Sequence, residues 1–259
     1  MIFFRFLLYP FTALYWLITF LRNKLFDIHV LSEISCEKPV VAIGNITVGG
    51  TGKTPHVRFI AQQLVHKYSL AILSRGYKRA TKGYVDSLQA PSPKALGDES
   101  YMYHRIFPGM LVAVCERRVR GVQKIIRKHP HVDVILLDDA YQHRHIKPAC
   151  NILLIDYNRP LSNDAVFPLG RMREGAYAVK RADVIIFTKC PQLTDEEKQQ
   201  LLDSLKYRNS QPVLFSRMEY GNPYHIVHTN EVHTETLISG KHVVLVTGIA
   251  QADVLKDYV

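Results

Sequence analysis

Val40 to Thr54, VVAIGNITVGGTGKT, is the stretch on which the fold of this chain turns. Val40, Val41 and Ile43 read as a short buried strand, a glycine-dense turn follows, and a helical pattern begins at Pro55. Strand, glycine loop, Lys-Thr and helix, in that order, make a cradle for a nucleoside triphosphate. Gly49, Gly50 and Gly52 can take positive φ and let backbone N–H groups close around phosphate oxygens. The helix start adds its partial positive charge. The phosphate site is therefore assigned to Thr47, Val48, Gly49, Gly50, Thr51, Gly52, Lys53 and Thr54, with Lys53 on the β- and γ-phosphates and the Thr54 hydroxyl on Mg²⁺. One departure stands out. The first glycine of G-x-x-x-x-G-K-[ST] falls on Thr47, and the nearest glycine upstream is Gly44.

The apolar runs that follow share one rhythm. Strands are expected at Val40–Ile43, Leu70–Leu73, Leu111–Val114, Val134–Leu137, Ile152–Ile155, Val184–Phe187, Val213–Phe215 and Val243–Val246, with helices near 53–67, 98–107, 117–128 and 194–206. Repeated βα units with continuous apolar strands predict an α/β fold, a doubly wound and mostly parallel sheet of the P-loop NTPase kind. The polar segment 157–175, YNRPLSNDAVFPLGRMREG, carries prolines and glycines and reads as a linker between lobes. The expected organisation is an N-terminal helix over 1–27, a P-loop kinase domain over 28–156, the linker 157–175 and a second, smaller α/β lobe over 176–259.

With 259 residues, 47% of them hydrophobic, the chain can bury a large core, which excludes global disorder. A formal charge of +10 calls for an anionic partner: a phospholipid surface, a nucleic acid or a phosphorylated substrate. Cys36, Cys115, Cys150 and Cys190 form no C-x-x-C pair, which argues against a disulfide framework or a zinc site and fits a reducing cytosol. Phe6 to Leu21 is an uncharged, aromatic-rich run of sixteen residues between Arg5 and the pair Arg22 and Lys24. As a helix it would span about 24 Å, short of the roughly 30 Å hydrocarbon core. It reads either as an interfacial or membrane-embedded anchor or as a helix packed on the body. No cleavage site follows it, so a signal peptide is disfavoured.

Three further groups of residues carry chemistry. The apolar run from Val132 ends in Asp138-Asp139, the acidic partner expected of such a loop, placed to hold Mg²⁺ directly or through water. Gly97-Asp98-Glu99-Ser100 stands at a helix start; it reads equally as cap chemistry and as a general base with a metal-side carboxylate. Basic clusters at Ser74–Arg79, Arg117–Arg120 and Arg171–Glu174 can grip phosphate or lie on a solvated face. The twelve histidines show no metal spacing, and His143 and His145 read as structural.

In combination, GNITVGGTGKTP, SRGYKR, GDES, LDDAYQHR, FPLGRMRE and TGIA resemble the tetraacyldisaccharide 4′-kinases of lipid A synthesis, in order and over nearly the whole chain. The resemblance implies transfer of the ATP γ-phosphate, with Mg²⁺, to the 4′-hydroxyl of an acylated glucosamine disaccharide 1-phosphate at the cytosolic face of the inner membrane. It implies Asp98 as catalytic base, Glu99, Asp138, Asp139 and Thr54 as the metal side, Lys53 on phosphate, and Arg171 near the transferring group. It implies an anionic membrane surface as partner, no nucleic acid and no obligate protein partner. Ser100 replaces the family's usual Pro, and Ala140-Tyr141 its Gly-Leu. Family members also continue to an Asp-His-His motif, so a C-terminal segment is expected to be missing after Val259.

Two other classes compete. A membrane-associated partition or site-selection ATPase would carry a signature Lys just before the Gly-Gly pair, where Val48 stands. A GTPase would want an N/T-K-x-D guanine reader, and Thr188-Lys189-Cys190-Pro191 fails at the Asp. For a nucleic-acid binder no recognition motif is present, and the basic residues group beside the phosphate-site elements.

Overall fold

The computed structural model describes residues 2–219, with side chains from Phe6 onward, and beyond them the backbone of Tyr224–Ile226 and Val232–Thr234. By compactness the chain divides into Met1–Arg217 and Met218–Val259. In chain order the first unit runs α1 (Ile2–Asp27), β1 (Ile34–Ser35), β2 (Val40–Asn45), α2 (Lys53–Leu64), β3 (Leu70–Ser74), β4 (Val85–Asp86) and α3 (Pro93–Leu96). It continues with α4 (Asp98–Ile106), β5 (Leu111–Val114), α5 (Arg118–Lys128), β6 (Val134–Asp138), β7 (Ile146–Lys147), β8 (Cys150–Asp156), β9 (Val184–Thr188), α6 (Asp195–Ser204) and β10 (Val213–Phe215). The described backbone of the second unit is an antiparallel hairpin of β11 (Tyr224–Ile226) and β12 (Val232–Thr234).

Eight strands form one sheet in the order β10-β9-β8-β2-β6-β3-β5-β4, and all neighbours pair in parallel except β4, which runs against β5. The sheet follows from sequence because both of its faces are covered. Val40 and Ala42 of β2 point into one cluster with Val122 and Ile125 of α5, while Ile43 points into another with Val57 and Ala61 of α2 and Tyr103 of α4. Burying a residue such as Ile43 or Leu136 from water stabilises by about 1.5–3 kcal/mol, so strands with no polar face are favoured only here. In α5, Arg118, Val122 and Ile125 face inward while Arg120, Gln123 and Arg127 are exposed, the 3.6-residue stripe of a surface helix. β2 lies between β6 and β8, so the loop after it opens at the carboxyl edge near the middle of the sheet, where such folds bind ligands.

Seven of the expected strands match observed strands to within two residues at either end; Val243–Val246 lies outside the described residues. The position of the linker needs correction. Residues 157–175 join β8 to its neighbour β9, and β9 and β10 extend the same sheet, so no lobe boundary falls there. The polar, proline-rich composition marks a loop that folds back on the phosphate loop, with a bridge between Thr47 and Met172. The compact division follows Arg217 instead.

One side of α1 packs on the body through Tyr15, Asn23 and Phe26, of which Asn23 and Phe26 are buried. The other side exposes Phe6, Phe11, Leu14, Ile18 and Leu21. Among the described residues no helix is long and apolar enough to cross a membrane.

Candidate active site

The phosphate loop is shaped from inside and outside. Gly52 caps α2 at φ +80°, a backbone region that side chains other than glycine rarely enter, and Gly49 sits at φ +118°. Asn45 donates to the buried Thr51 hydroxyl at 2.6 Å, closing the loop across its base. Thr47 needs no glycine, because it pairs as extended backbone with Met172. Val48 N donates to Arg171 O (2.8 Å) and Arg173 N to Ile46 O (2.7 Å), so the 171–173 strip braces the loop. The Arg171 side chain itself is exposed.

The acidic side assembles on β6 and α4. Tyr103, fully buried, donates to Asp138 Oδ2 at 3.1 Å and also hydrogen-bonds Thr54. Burial, then the nearby Glu99 and Asp139 carboxylates, push Asp138 up to about 6, against the pull of Tyr103 and Lys53. Lys53, Thr54, Glu99, Asp138 and Asp139 are thus brought together. Asp139, at φ +49°, is engaged by Lys53 (3.6 Å) and by Arg173 (3.1 Å). Asp98 is the first residue of α4 and exposed; the cap is Gly97, whose Cα lies so near Tyr77 that an added Cβ would meet Tyr77 O at 2.6 Å. Ser100 is buried, its hydroxyl paired with Ser74 at 2.6 Å, so it ties the α4 start to the strand end that carries Arg75.

Beside these residues opens a cavity of about 310 Å³ lined by Tyr15, Thr19, Arg22, Arg75, Arg118, Asp139, Gln142, His143 and Arg173. Four arginines line it together with one carboxylate, and α1 contributes Tyr15, Thr19 and Arg22. Arg118 is buried, donates to Cys115 O (2.7 Å), and leaves its Nε without a partner. Burial pulls its guanidinium down to about 10 although Asp138 and Asp139 oppose the shift. Burial and then Arg118 hold His143 near 4, so its ring is neutral at pH 7. The pocket suits a multiply charged anion.

Residues to which the sequence reading gave no task of their own hold the cavity to α1. Glu174, buried, accepts from Asn23 (2.8 Å), Gln142 (3.2 Å) and Arg181 (2.9 Å to each oxygen). Gln142 passes the contact to Asn45 O at 2.7 Å, at the foot of the phosphate loop. Nothing in local sequence marks Glu174, because its partners lie 151, 32 and 7 residues away.

The donors fit Mg²⁺. Among the described residues no three His, Cys, Asp or Glu side chains converge on a metal site by themselves. A Thr hydroxyl, one or two carboxylates, phosphate oxygens and water are the usual set for this ion; burial and then repulsion from Glu99 and Asp139 raise Asp138, and a divalent cation would relieve that repulsion.

A family model described as tetraacyldisaccharide-1-P 4′-kinase matches residues 4–259. The tetraacyldisaccharide 4′-kinase of Phocaeicola vulgatus is 40% identical over 96% of this chain and 70% of its own length. That of Flavobacterium johnsoniae is 38% identical over 98% of this chain and 74% of its own. The crystal structure of LpxK from Aquifex aeolicus in complex with ATP superposes with a TM-score of 0.68 at 32% identity, covering 81% of this chain and 64% of that one.

Proposed function

This chain belongs to the tetraacyldisaccharide 4′-kinase family, and from that premise we propose that it transfers the γ-phosphate of ATP to the 4′-hydroxyl of a tetraacyldisaccharide 1-phosphate, a step of lipid A biosynthesis. One observation carries the reading: Lys53, Thr54, Asp138 and Glu99 gather at the carboxyl edge of the sheet, and an arginine-lined cavity opens directly beside them. A switch ATPase would have no use for that cavity.

The chemistry asks little of the protein beyond positioning and charge. The loop N–H groups and Lys53 take the β- and γ-phosphates. Thr54 and Asp138, with Glu99 and Asp139 close by, would hold Mg²⁺, whose charge would offset that of the phosphates when bound. Asp98, at the exposed first position of α4, accepts the proton of the 4′-hydroxyl as the loose transition state forms. Arg171 is assigned to the transferring phosphoryl group. Its exposed side chain rises from the strip that braces Val48. The substrate's own phosphate is matched by Arg22, Arg75, Arg118 and Arg173.

The apolar outer side of α1 and the net charge of +10 support seating on an anionic membrane at its cytosolic face, where an acylated substrate need not leave the bilayer. Initial rates with labelled ATP test the roles. Asp98→Ala should lower kcat by orders of magnitude with both KM values little changed, whereas Arg118→Met should raise KM for the lipid. Full activity in Asp98→Ala would remove it as the base.

A further inference from the structure

Thr188-Lys189-Cys190-Pro191 has the spacing of a guanine reader without its aspartate, and the kinase reading leaves it no task. We infer that Lys189 is a positioning residue that clamps the phosphate loop from outside, through the Gly50 carbonyl, for ATP binding. This rests on the reading of that loop as the ATP phosphate site.

The geometry is specific. Lys189 follows the end of β9 at φ +57°, a left-handed backbone that an ordinary side chain enters only when its surroundings hold it there. Its ammonium lies 2.5 Å from Gly50 O and 2.8 Å from Asp156 Oδ2. Asp156 ends the neighbouring strand β8, and its side chain is only 2% exposed. It therefore fixes the ammonium in place while the lysine stem reaches across to the loop. Thr188, one residue earlier, donates to Thr51 O at 2.9 Å, and His56 Nδ1 lies 2.7 Å from Gly52 O. Three consecutive carbonyls of the loop are thus held by side chains from α2 and the end of β9.

The consequence follows from the planar peptide. Fixing the carbonyl of one residue fixes the plane that also carries the next residue's N–H, which points the opposite way. Holding the 50, 51 and 52 carbonyls outward presets the planes bearing the N–H groups of Thr51, Gly52 and Lys53. Thr51 N–H closes on Gly49 O at 3.1 Å, which tightens the turn. The N–H groups of Gly52 and Lys53 are then aimed before the anion arrives, and no ordering cost is left for the ligand to offset. The lysine is spent on backbone and Asp156, so it does not read the base. Its loss should weaken binding of any nucleoside triphosphate alike.

The test is calorimetric binding of Mg-ATP and of Mg-GTP to the full chain, with steady-state KM values for ATP and for the lipid. Lys189→Met should weaken both nucleotides by about tenfold or more with an unchanged ratio between them, raise KM for ATP and leave KM for the lipid as it was. Lys189→Arg, which keeps the charge and a donor, should restore most of the loss. Asp156→Asn, which frees the ammonium without emptying the site, should act in the same direction as Lys189→Met. A lysine that served only folding would lower the active fraction and move neither KM; that pattern, or Lys189→Met binding Mg-ATP as tightly as wild type, overturns the clamp. A shifted ATP-to-GTP ratio overturns it too, in favour of base reading. Wild type that binds no Mg-ATP overturns the phosphate-site reading and the clamp together.

Discussion

Replacing Glu174 with leucine should release α1 from the body, and the cost can be worked from the contacts it loses. The carboxylate is buried and accepts four hydrogen bonds, one from Asn23, one from Gln142 and two from Arg181. Burial pulls the Arg181 guanidinium down, yet its partners, Glu174 first, carry it above its ordinary value. Leucine leaves that guanidinium facing an apolar group, and removing one member of a buried pair costs about 3–5 kcal/mol. Asn23 and Gln142 lose an acceptor as well. Glutamine keeps one acceptor oxygen and should cost about 1–3 kcal/mol. Against a domain stability of roughly 5–15 kcal/mol, the leucine variant should show a much lower urea midpoint, and trypsin should cut faster after Arg22 and Lys24. Because Gln142 also holds Asn45 O, Mg-ATP affinity should fall with it. Making Arg181 apolar too, in Glu174→Leu/Arg181→Met, should recover part of the loss, since no charge is then left buried and unpaired. A Glu174→Leu protein within about 1 kcal/mol of wild type, with α1 equally protected, would refute this account of how the helix is held.

Gly97→Ala places a Cβ 2.6 Å from Tyr77 O on a backbone at φ +83°, so it should destabilise by about 1–3 kcal/mol and cut the transfer rate by displacing Asp98; a rate equal to wild type would show that the α4 start tolerates movement. His143, held near 4 when folded against 6.5 unfolded, binds fewer protons in the native state across that window. Its contribution, at most about 3 kcal/mol, is present above pH 6.5 and is lost as pH falls toward 4. In His143→Gln, urea midpoints should therefore change less between pH 7 and pH 4.5, and an unaltered slope would contradict the burial argument. Leu14→Glu with Ile18→Glu on the exposed side of α1 should reduce sedimentation with anionic vesicles by tenfold or more while leaving Mg-ATP binding intact. Undiminished sedimentation would remove α1 as the membrane contact.

Much of this was legible because it is local. Continuous apolar runs marked β2, β3, β5, β6, β8 and β9, whose burial on both faces admits no polar alternation. Gly52-Lys53-Thr54 sits at a helix start and Asp138-Asp139 at a strand end, where residue type and chain position coincide. What escaped depends on distance along the chain. Glu174 acquires its task from Asn23 and Arg181, and Lys189 from Gly50 and Asp156, pairings set only once the strands are ordered. The 157–175 segment misled for a physical reason: a loop that folds back to brace a phosphate loop has the same composition as a linker. The N-terminal run offered anchor or packing as alternatives, and the helix packs through one side while the other is apolar and exposed.

The most direct measurement is to incubate the chain with γ-labelled ATP, Mg²⁺ and tetraacyldisaccharide 1-phosphate in detergent and locate the labelled phosphate on the product by NMR. The account predicts a new phosphomonoester on the 4′ oxygen, absent with Lys53→Ala. Label released only as inorganic phosphate, at a rate indifferent to the lipid, would contradict it and favour an ATPase switch.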